Sequence, residues 1–280
     1  MKLLVTGASG LLGRAVMQEC TRAGHEVIGL AFSRVSGALV KLDLTDAKAI
    51  HGLIQRERPD VVINLAAERR PDVVERDPVA VKKLNYVFDG RNPPYFVDSP
   101  THPLNAYGMS KREGEIAVLD AALAGHATNL RLPVLYGETL YNEESAVNVL
   151  LNSIRSNEKR IKMDAHAVRY PTNVSDVARV IEQLSSLYKK QLHSSAMPET
   201  LHFSTQEAMT KYDMCLVLSR LWNLVCQEEV SSVEHLDPQY EADANAGTKR
   251  PGHCKLDIST TNELGIDTSC VPFDEWWRNY

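Results

Sequence analysis

The chain is poor in aromatic residues, 6% of its 280 positions, and has only five cysteines. Cys20, Cys215, Cys226, Cys254 and Cys270 form an odd set with no C-x-x-C spacing. That argues against a disulfide framework and against a zinc site, and favours a reducing compartment. No apolar stretch approaches the roughly 20 residues needed to span a bilayer. The opening MKLLVTGASGLLG does not read as a secretory leader, because glycines interrupt its apolar run. Positive charge is not in excess either: 31 Lys and Arg stand against 36 Asp and Glu, a formal net charge of −5. Arg69-Arg70, Lys82-Lys83 and Lys189-Lys190 are pairs only, which excludes the basic footprint of a nucleic-acid or anionic-membrane binder. These absences predict a soluble cytoplasmic protein, and 44% hydrophobic residues suffice for the core of one large domain or two fused lobes.

What is present is a rhythm of short apolar strands and amphipathic helices. Leu3-Leu4-Val5 reads as a buried strand entering a glycine loop, Leu12 to Cys20 as the helix after it, and His25 to Leu30 as a second strand. Leu39 to Leu42 is a third strand, followed by a helix capped by Asp43 to Asp46 and running to about Arg58. Val61 to Ala67 is apolar enough to lie inside a parallel sheet. In the second half, Asn129 to Tyr136 reads as one strand, Ser145 to Arg155 as a helix, and Val174 to Ala178 as the opening of another. Leu201 to Ser204 is strand-like, and Thr210 N-caps a helix with Met214, Val217, Leu218 and Leu221 as its apolar stripe. Residues 226–250 read as an irregular surface loop. This alternation predicts an α/β fold: a doubly wound, Rossmann-type parallel sheet with a smaller C-terminal α+β lobe.

The stretch TGASGLLG sets Gly7, Gly10 and Gly13 as G-x-x-G-x-x-G between a strand and a helix. Glycines permit the tight turn and close backbone approach, and the helix N-terminus offers free N–H groups to a pyrophosphate. Thr6, Gly7, Ser9, Gly10, Leu11, Leu12 and Gly13 are therefore candidate cofactor contacts. NAD sites usually place an acid at the end of the second strand. Here Phe32, Ser33 and Arg34 follow it instead, and a guanidinium there suits the 2′-phosphate of NADP. Asp43 and Leu44 would flank the adenine, and Leu65 with Ala66 would line the middle of the dinucleotide. Glu68 and Arg69 follow the fourth strand at its carboxyl end, and Leu135 and Tyr136 end a later one; each could touch cofactor or serve structure. His166 and Arg169-Tyr170 stand in the second half without an assigned role.

With TGASGLLG, NLAA, YVFDG and Tyr107 four residues before Lys111, the chain resembles the extended short-chain dehydrogenase/reductase family. It is similar to the dTDP-4-dehydrorhamnose reductase branch in YVFDG (86–90), YGMSKREGE (107–115) and RPGHCKLDIS…ELGI (250–266). It is more similar to the regulatory beta-subunit family of methionine adenosyltransferase II in AAERRPDVVE (66–75), GRNPPY (90–95), YGE (136–138), EESAV (143–147) and MTKYDM (209–214). The resemblance implies bound NADP, with Lys111 and Tyr107 at its nicotinamide end. It also implies association with the S-adenosylmethionine-forming catalytic subunit.

The family's catalytic set is completed by a serine or threonine just before YVFDG. Here Val81-Lys82-Lys83-Leu84-Asn85 precede Tyr86, and Lys83 or Leu84 takes the hydroxyl's place. Relative to the family, the rest of a helix and one central strand are absent between Asn85 and Tyr86. In the Tyr/Lys mechanism the tyrosine hydroxyl protonates a carbonyl, the lysine lowers its pKa, and the serine holds the substrate oxygen. Losing the serine removes the orienting donor, so strong catalysis is not expected. The chain ends VPFDEWWRNY where the resemblance suggests a longer tail. Its cluster of Trp276, Trp277 and Tyr280 would pack on the core or insert into a partner, and the resemblance favours the partner.

The expectations are thus an NADP-binding domain at 1–138, with 169–187 returning to it, and a partner or substrate lobe at 139–168 and 188–280. The expected function is a non-catalytic regulatory subunit. The alternative is an NADPH-dependent reductase of a 4-keto nucleotide sugar.

Overall fold

A computed structural model describes residues 1–66, 88–103, 106–122, 126–156, 160–191, 197–226, 233–242 and 251–280. The described elements begin with β1 Lys2–Thr6, α1 Leu11–Arg22, β2 Glu26–Ala31, β3 Val40–Lys41, α2 Ala47–Glu57 and β4 Val61–Asn64. There follow α3 Ala106–Ala121, β5 Asn129–Arg131, β6 Leu135–Tyr136, α4 Leu150–Ile154, β7 Ile161–Asp164, β8 Thr172–Asn173 and α5 Val174–Gln191. The last are β9 Thr200–His202, α6 Lys211–Cys226, β10 Leu236–Gln239, α7 Ser259–Glu263 and α8 Phe273–Asn279. The chain divides into two compact units, residues 1–67 with 174–197, and residues 68–173 with 198–280.

The first unit is a four-stranded parallel sheet in the order β3-β2-β1-β4. Leu3, Leu4 and Val5 of β1 are almost fully buried, because a central strand is covered by neighbours on both edges and by helices on both faces. On one face Leu53 of α2 joins Leu4 and Leu30, and elsewhere α5 returns from late in the sequence to pack on α1. Asp46 caps α2 by accepting from the Lys48 and Ala49 amides, and Arg58 ends it in the left-handed region. The expectation for Val61 to Ala67 is corrected in part. The strand is only four residues long and is the last of its sheet among the described residues. Ile63 is buried and Val62 is 48% exposed.

The second unit pairs its described strands two by two: β5 with β9, β6 with β8 and β7 with β10, all parallel. The single strand expected from Asn129 to Tyr136 is broken at Leu132-Pro133-Val134. A proline offers no N–H to a ladder, and the chain changes partner there, from β9 to β8. The expected helix from Ser145 shrinks to α4, because the Ser145 hydroxyl accepts from the Val147 and Asn148 amides in a turn. The segment expected to be loop contains β10, which lies beside β7. The Thr210 cap is present in both directions: its hydroxyl accepts from the Asp213 amide, and the Asp213 carboxylate accepts from the Thr210 amide. Met214, Leu218 and Leu221 below it join Tyr136, Phe273 and Trp277 in the main core of this unit.

Candidate functional site

The glycine loop lies at the carboxyl end of β1, where a parallel sheet presents its ligand crevice. Gly7 has φ +65°, and a Cβ on it would lie 2.9 Å from the Leu65 carbonyl and the Ala66 nitrogen. A Cβ on Gly13 would lie 2.2 Å from the Gly7 oxygen, so only glycine lets α1 start this close to the strand. The Gly10 amide donates to the Gly7 oxygen at 2.9 Å, closing the turn. Among the described residues a Cβ on Gly10 would meet only that same oxygen, at 3.2 Å. The first amides of α1, at Leu11, Leu12 and Gly13, have no intrahelical acceptor and face an anion in such a loop. Arg14 braces the loop from below by donating to the Ser9 carbonyl.

Thr6 ties the two strand ends that flank the loop. Its hydroxyl donates to Asn64 Oδ1 at 2.6 Å and accepts from the Leu65 and Ala66 amides at 3.1 and 3.2 Å. These bonds take Leu65 and Ala66 out of the ladder and turn the chain away from β4. Phe32, Ser33 and Arg34 follow β2 directly and are exposed, Phe32 at 61%. Asp43 accepts from both the amide and the hydroxyl of Thr45, which holds its carboxyl below the usual range. The adenosine-side candidates therefore all sit on one folded unit, with a cradle that side chains would fill and Arg34 three residues after β2. The glycine cradle fits the close approach of a dinucleotide's pyrophosphate.

The remaining candidates lie elsewhere. Glu68, Arg69, Lys83, Leu84 and the junction of Asn85 with Tyr86 fall outside the described residues. Tyr107 and Lys111 lie four residues apart on one helix, α3. Burial draws the Lys111 pKa down to about 7, against the opposing pull of Glu115. Leu135 is half-buried in β6, while Tyr136 beside it is core, in ring contact with Phe273, Trp276 and Trp277. Trp277 is likewise buried, Trp276 is half-buried, and Tyr280 is 54% exposed and stacked on Trp276 at 4.7 Å. His166 is exposed, Arg169 donates to the Val168 and Pro251 carbonyls, and the Tyr170 hydroxyl meets His253 at 2.7 Å. Arg169 and Tyr170 thus make local structural bonds.

Two of the motif stretches meet in the second unit. Tyr95 of GRNPPY bonds through its backbone to Lys255 and Asp257 of the PGHCKLD stretch. Gly90, at φ +78°, leaves no room for a Cβ, which would lie 2.7 Å from the Gly252 nitrogen. Behind them lies a cluster that sequence reasoning passed over. Arg131 holds Glu115 through two 2.8 Å bonds, and its Nη1 lies 3.3 Å from His202 Nε2. His202 Nδ1 bonds the Asp257 carbonyl, so the imidazole is neutral, donating from Nδ1 and accepting at Nε2. Burial first, and the Arg131 charge second, push its pKa down to about 4. The available signal was Arg131 itself, a charge in the middle of an apolar strand run, which demands a buried partner.

The RmlD substrate binding domain family matches residues 83–275, and the NAD dependent epimerase/dehydratase family matches residues 3–91. Methionine adenosyltransferase 2 subunit beta of Danio rerio is 37% identical over 294 aligned positions, covering 97% of this chain and 87% of that protein. Those positions outnumber the 280 residues of the chain, so the relative has residues where this chain has none. A Streptomyces antibioticus protein named "Probable dTDP-4,6-dihydroxy-2-methyloxan-3-one 4-ketoreductase" is 34% identical over 50% of this chain and 53% of its own. Among solved structures, a dTDP-4-dehydrorhamnose reductase from Bacillus anthracis in complex with NADP shares the fold. Its TM-score is 0.75 at 18% identity, over 100% of this chain and 98% of that one.

Proposed function

The chain belongs to the RmlD-type branch of the NAD-dependent epimerase/dehydratase family, in company with the beta subunits of methionine adenosyltransferase 2, and from that premise we propose that it is a non-catalytic, NADP-binding regulatory subunit. It associates with a methionine adenosyltransferase catalytic subunit in the cytoplasm and modulates S-adenosylmethionine synthesis. The observation that carries this reading is the 37% identity to a beta subunit across nearly the whole chain. The cofactor-binding assignment, with the domain at 1–138 and the segment 169–187, is supported by the glycine cradle and by Arg34 at the end of β2.

In this reading the Gly7 to Gly13 loop and the first amides of α1 hold the pyrophosphate, and Arg34 pairs with the 2′-phosphate. Phe32, Asp43 and Leu44 border the adenine, and Leu65 with Ala66 borders the centre. Glu68 and Arg69 contact the same cofactor, while Tyr107, Lys111 and Leu135 contact its nicotinamide end. A bound NADP supplies a site for hydride transfer. The stretch before Tyr86 lacks the hydroxyl that in the family holds a substrate carbonyl against the tyrosine. For partner contact the exposed Tyr280 and the half-buried Trp276 are the available surface, with Trp277 as their internal support.

The likeness to the ketoreductase over half the chain and the retained Tyr107/Lys111 spacing favour a second reading, an NADPH-dependent reductase of a 4-keto nucleotide sugar. One pair of measurements separates them. The regulatory reading expects co-elution with the catalytic subunit on gel filtration and no NADPH oxidation with a dTDP-4-keto sugar. Turnover that disappears in Tyr107→Phe overturns it.

A further inference from the structure

We propose that the cleft beside the C-terminal helix α8 is a docking pocket for an arginine side chain of the partner protein. The proposal rests on the regulatory-subunit reading above and deepens it by naming the chemistry of the contact. The cleft has a volume of about 430 Å³ and lies within the second unit. The segment Ser204 to Glu207, which follows β9, forms one side, Thr268 and Cys270 another, and Ile258 and Pro272 add apolar wall.

Most of the side-chain donors around the cleft are already spent. The Ser204 hydroxyl donates to the Thr205 carbonyl, Thr268 to Asn262 Oδ1, and the Cys270 thiol to the Thr268 carbonyl. Gln206 directs its Nε2 to the Ser204 and Thr205 carbonyls, which leaves its amide oxygen as an acceptor. Glu207 accepts from the Phe273 amide through Oε2 at 3.0 Å and makes no ion pair among the described residues, so its Oε1 and its charge stay available. None of the lining residues is Lys, Arg or His. Neighbouring acceptors, one of them charged, with few donors beside them select a cationic donor. A guanidinium meets this best, because it presents a planar fork of N–H groups and is less strongly hydrated than an ammonium. Ile258 and Pro272 offer apolar contact to its methylene stem. The helix α8 identifies the source of the cation as a protein. Pro272 directly precedes it, and Trp276 and Tyr280, the surface offered for partner contact, follow along it. Such a helix spans only about 10 Å, so a partner covering a patch of about 800 Å² reaches both.

Isothermal titration of the full chain with the methionine adenosyltransferase catalytic subunit tests this. Glu207→Gln is the discriminating variant, because its amide oxygen still accepts from the Phe273 amide while the charge is gone. It should bind the catalytic subunit about tenfold more weakly than the wild type, and Glu207→Lys at least about a hundredfold more weakly. The wild-type dissociation constant should also rise more steeply with salt than that of Glu207→Gln. Agmatine, which carries a guanidinium, should compete with the catalytic subunit for the wild type more strongly than putrescine, a dication of similar length. That difference should vanish in Glu207→Gln. Affinity of Glu207→Gln within about twofold of the wild type, or equal competition by the two dications, overturns the proposal while leaving the regulatory reading intact. Failure of the wild type to bind the catalytic subunit sinks both.

Discussion

The two units bury different things. The first buries mainly apolar side chains, Leu3, Leu4, Val5, Val16, Leu30 and Leu53; its one nearly dry carboxylate among the described residues, Asp176, pairs with the partly exposed Arg179, and Lys2 with Glu57 and Lys189 with Asp60 lie at its margin. The second places a charged pair and a histidine inside: Arg131, Glu115 and His202 are each less than one-tenth exposed. An apolar core tolerates changes of pH and of single polar groups. A buried ion pair holds only while both partners are present, because the survivor is left charged and dry. The second unit should therefore be the fragile one to acid and to charge deletion, and the first to anything that fills the glycine loop. All three tryptophans, Trp222, Trp276 and Trp277, lie in the second unit, so their fluorescence follows that unit by itself.

The largest expected effect is that of Arg131→Met. Leaving buried Glu115 with only the partly exposed Arg112, 3.6 Å away, should cost about 3 kcal/mol in urea unfolding followed by tryptophan fluorescence. The double variant E115L/R131M should recover most of that loss, since a well-packed apolar pair is close to neutral. Equal losses in single and double variants would break the contrast between the units.

Acid comes next. The His202 pKa lies near 4 in the folded chain against an ordinary value of 6.5, so the unfolded chain binds the proton more readily. The stability tied to its neutral form is complete above pH 6.5 and drains away as pH falls from 6.5 towards 4, by about 1.4 kcal/mol per unit and on the order of 3 kcal/mol in all. His202→Gln should flatten that slope in urea titrations at stepped pH. A slope unchanged in the variant would mean that another group carries the acid sensitivity.

Gly13→Ala probes the first unit. With a Cβ forced to 2.2 Å from the Gly7 oxygen, α1 must move. The expected outcome is about 1–3 kcal/mol of lost stability and loss of NADP+ binding by calorimetry. The smallest effect is Thr210→Ala, which removes one arm of the cap on α6 and should cost about 1 kcal/mol in the tryptophan-monitored transition.

The first unit was legible because its signals are local. Glycines at fixed spacing, an Asp46 cap and apolar strands of uniform pattern need no distant partner to be interpreted. The second unit was less so. Pro133 divides one apolar run into two strands with different neighbours, and β10 was hidden in a polar segment because its partner β7 lies some distance away in the sequence. Tyr136 and Trp277 could be read as site or surface until their ring contacts placed them in the core. The neutral state of His202 depends on Arg131 and on the Asp257 carbonyl, both remote in sequence.

The amino-acid sequence by itself determined the family, the parallel α/β class and the place of the glycine loop, since all three rest on short-range spacing and backbone sterics. The tertiary structure decided which charges are buried together, that the run from Asn129 to Tyr136 splits between two neighbouring strands, and that Tyr136 and Trp277 lie in the core. Those outcomes depend on which segments become neighbours, and that is set by long-range packing, which local sequence pattern does not encode.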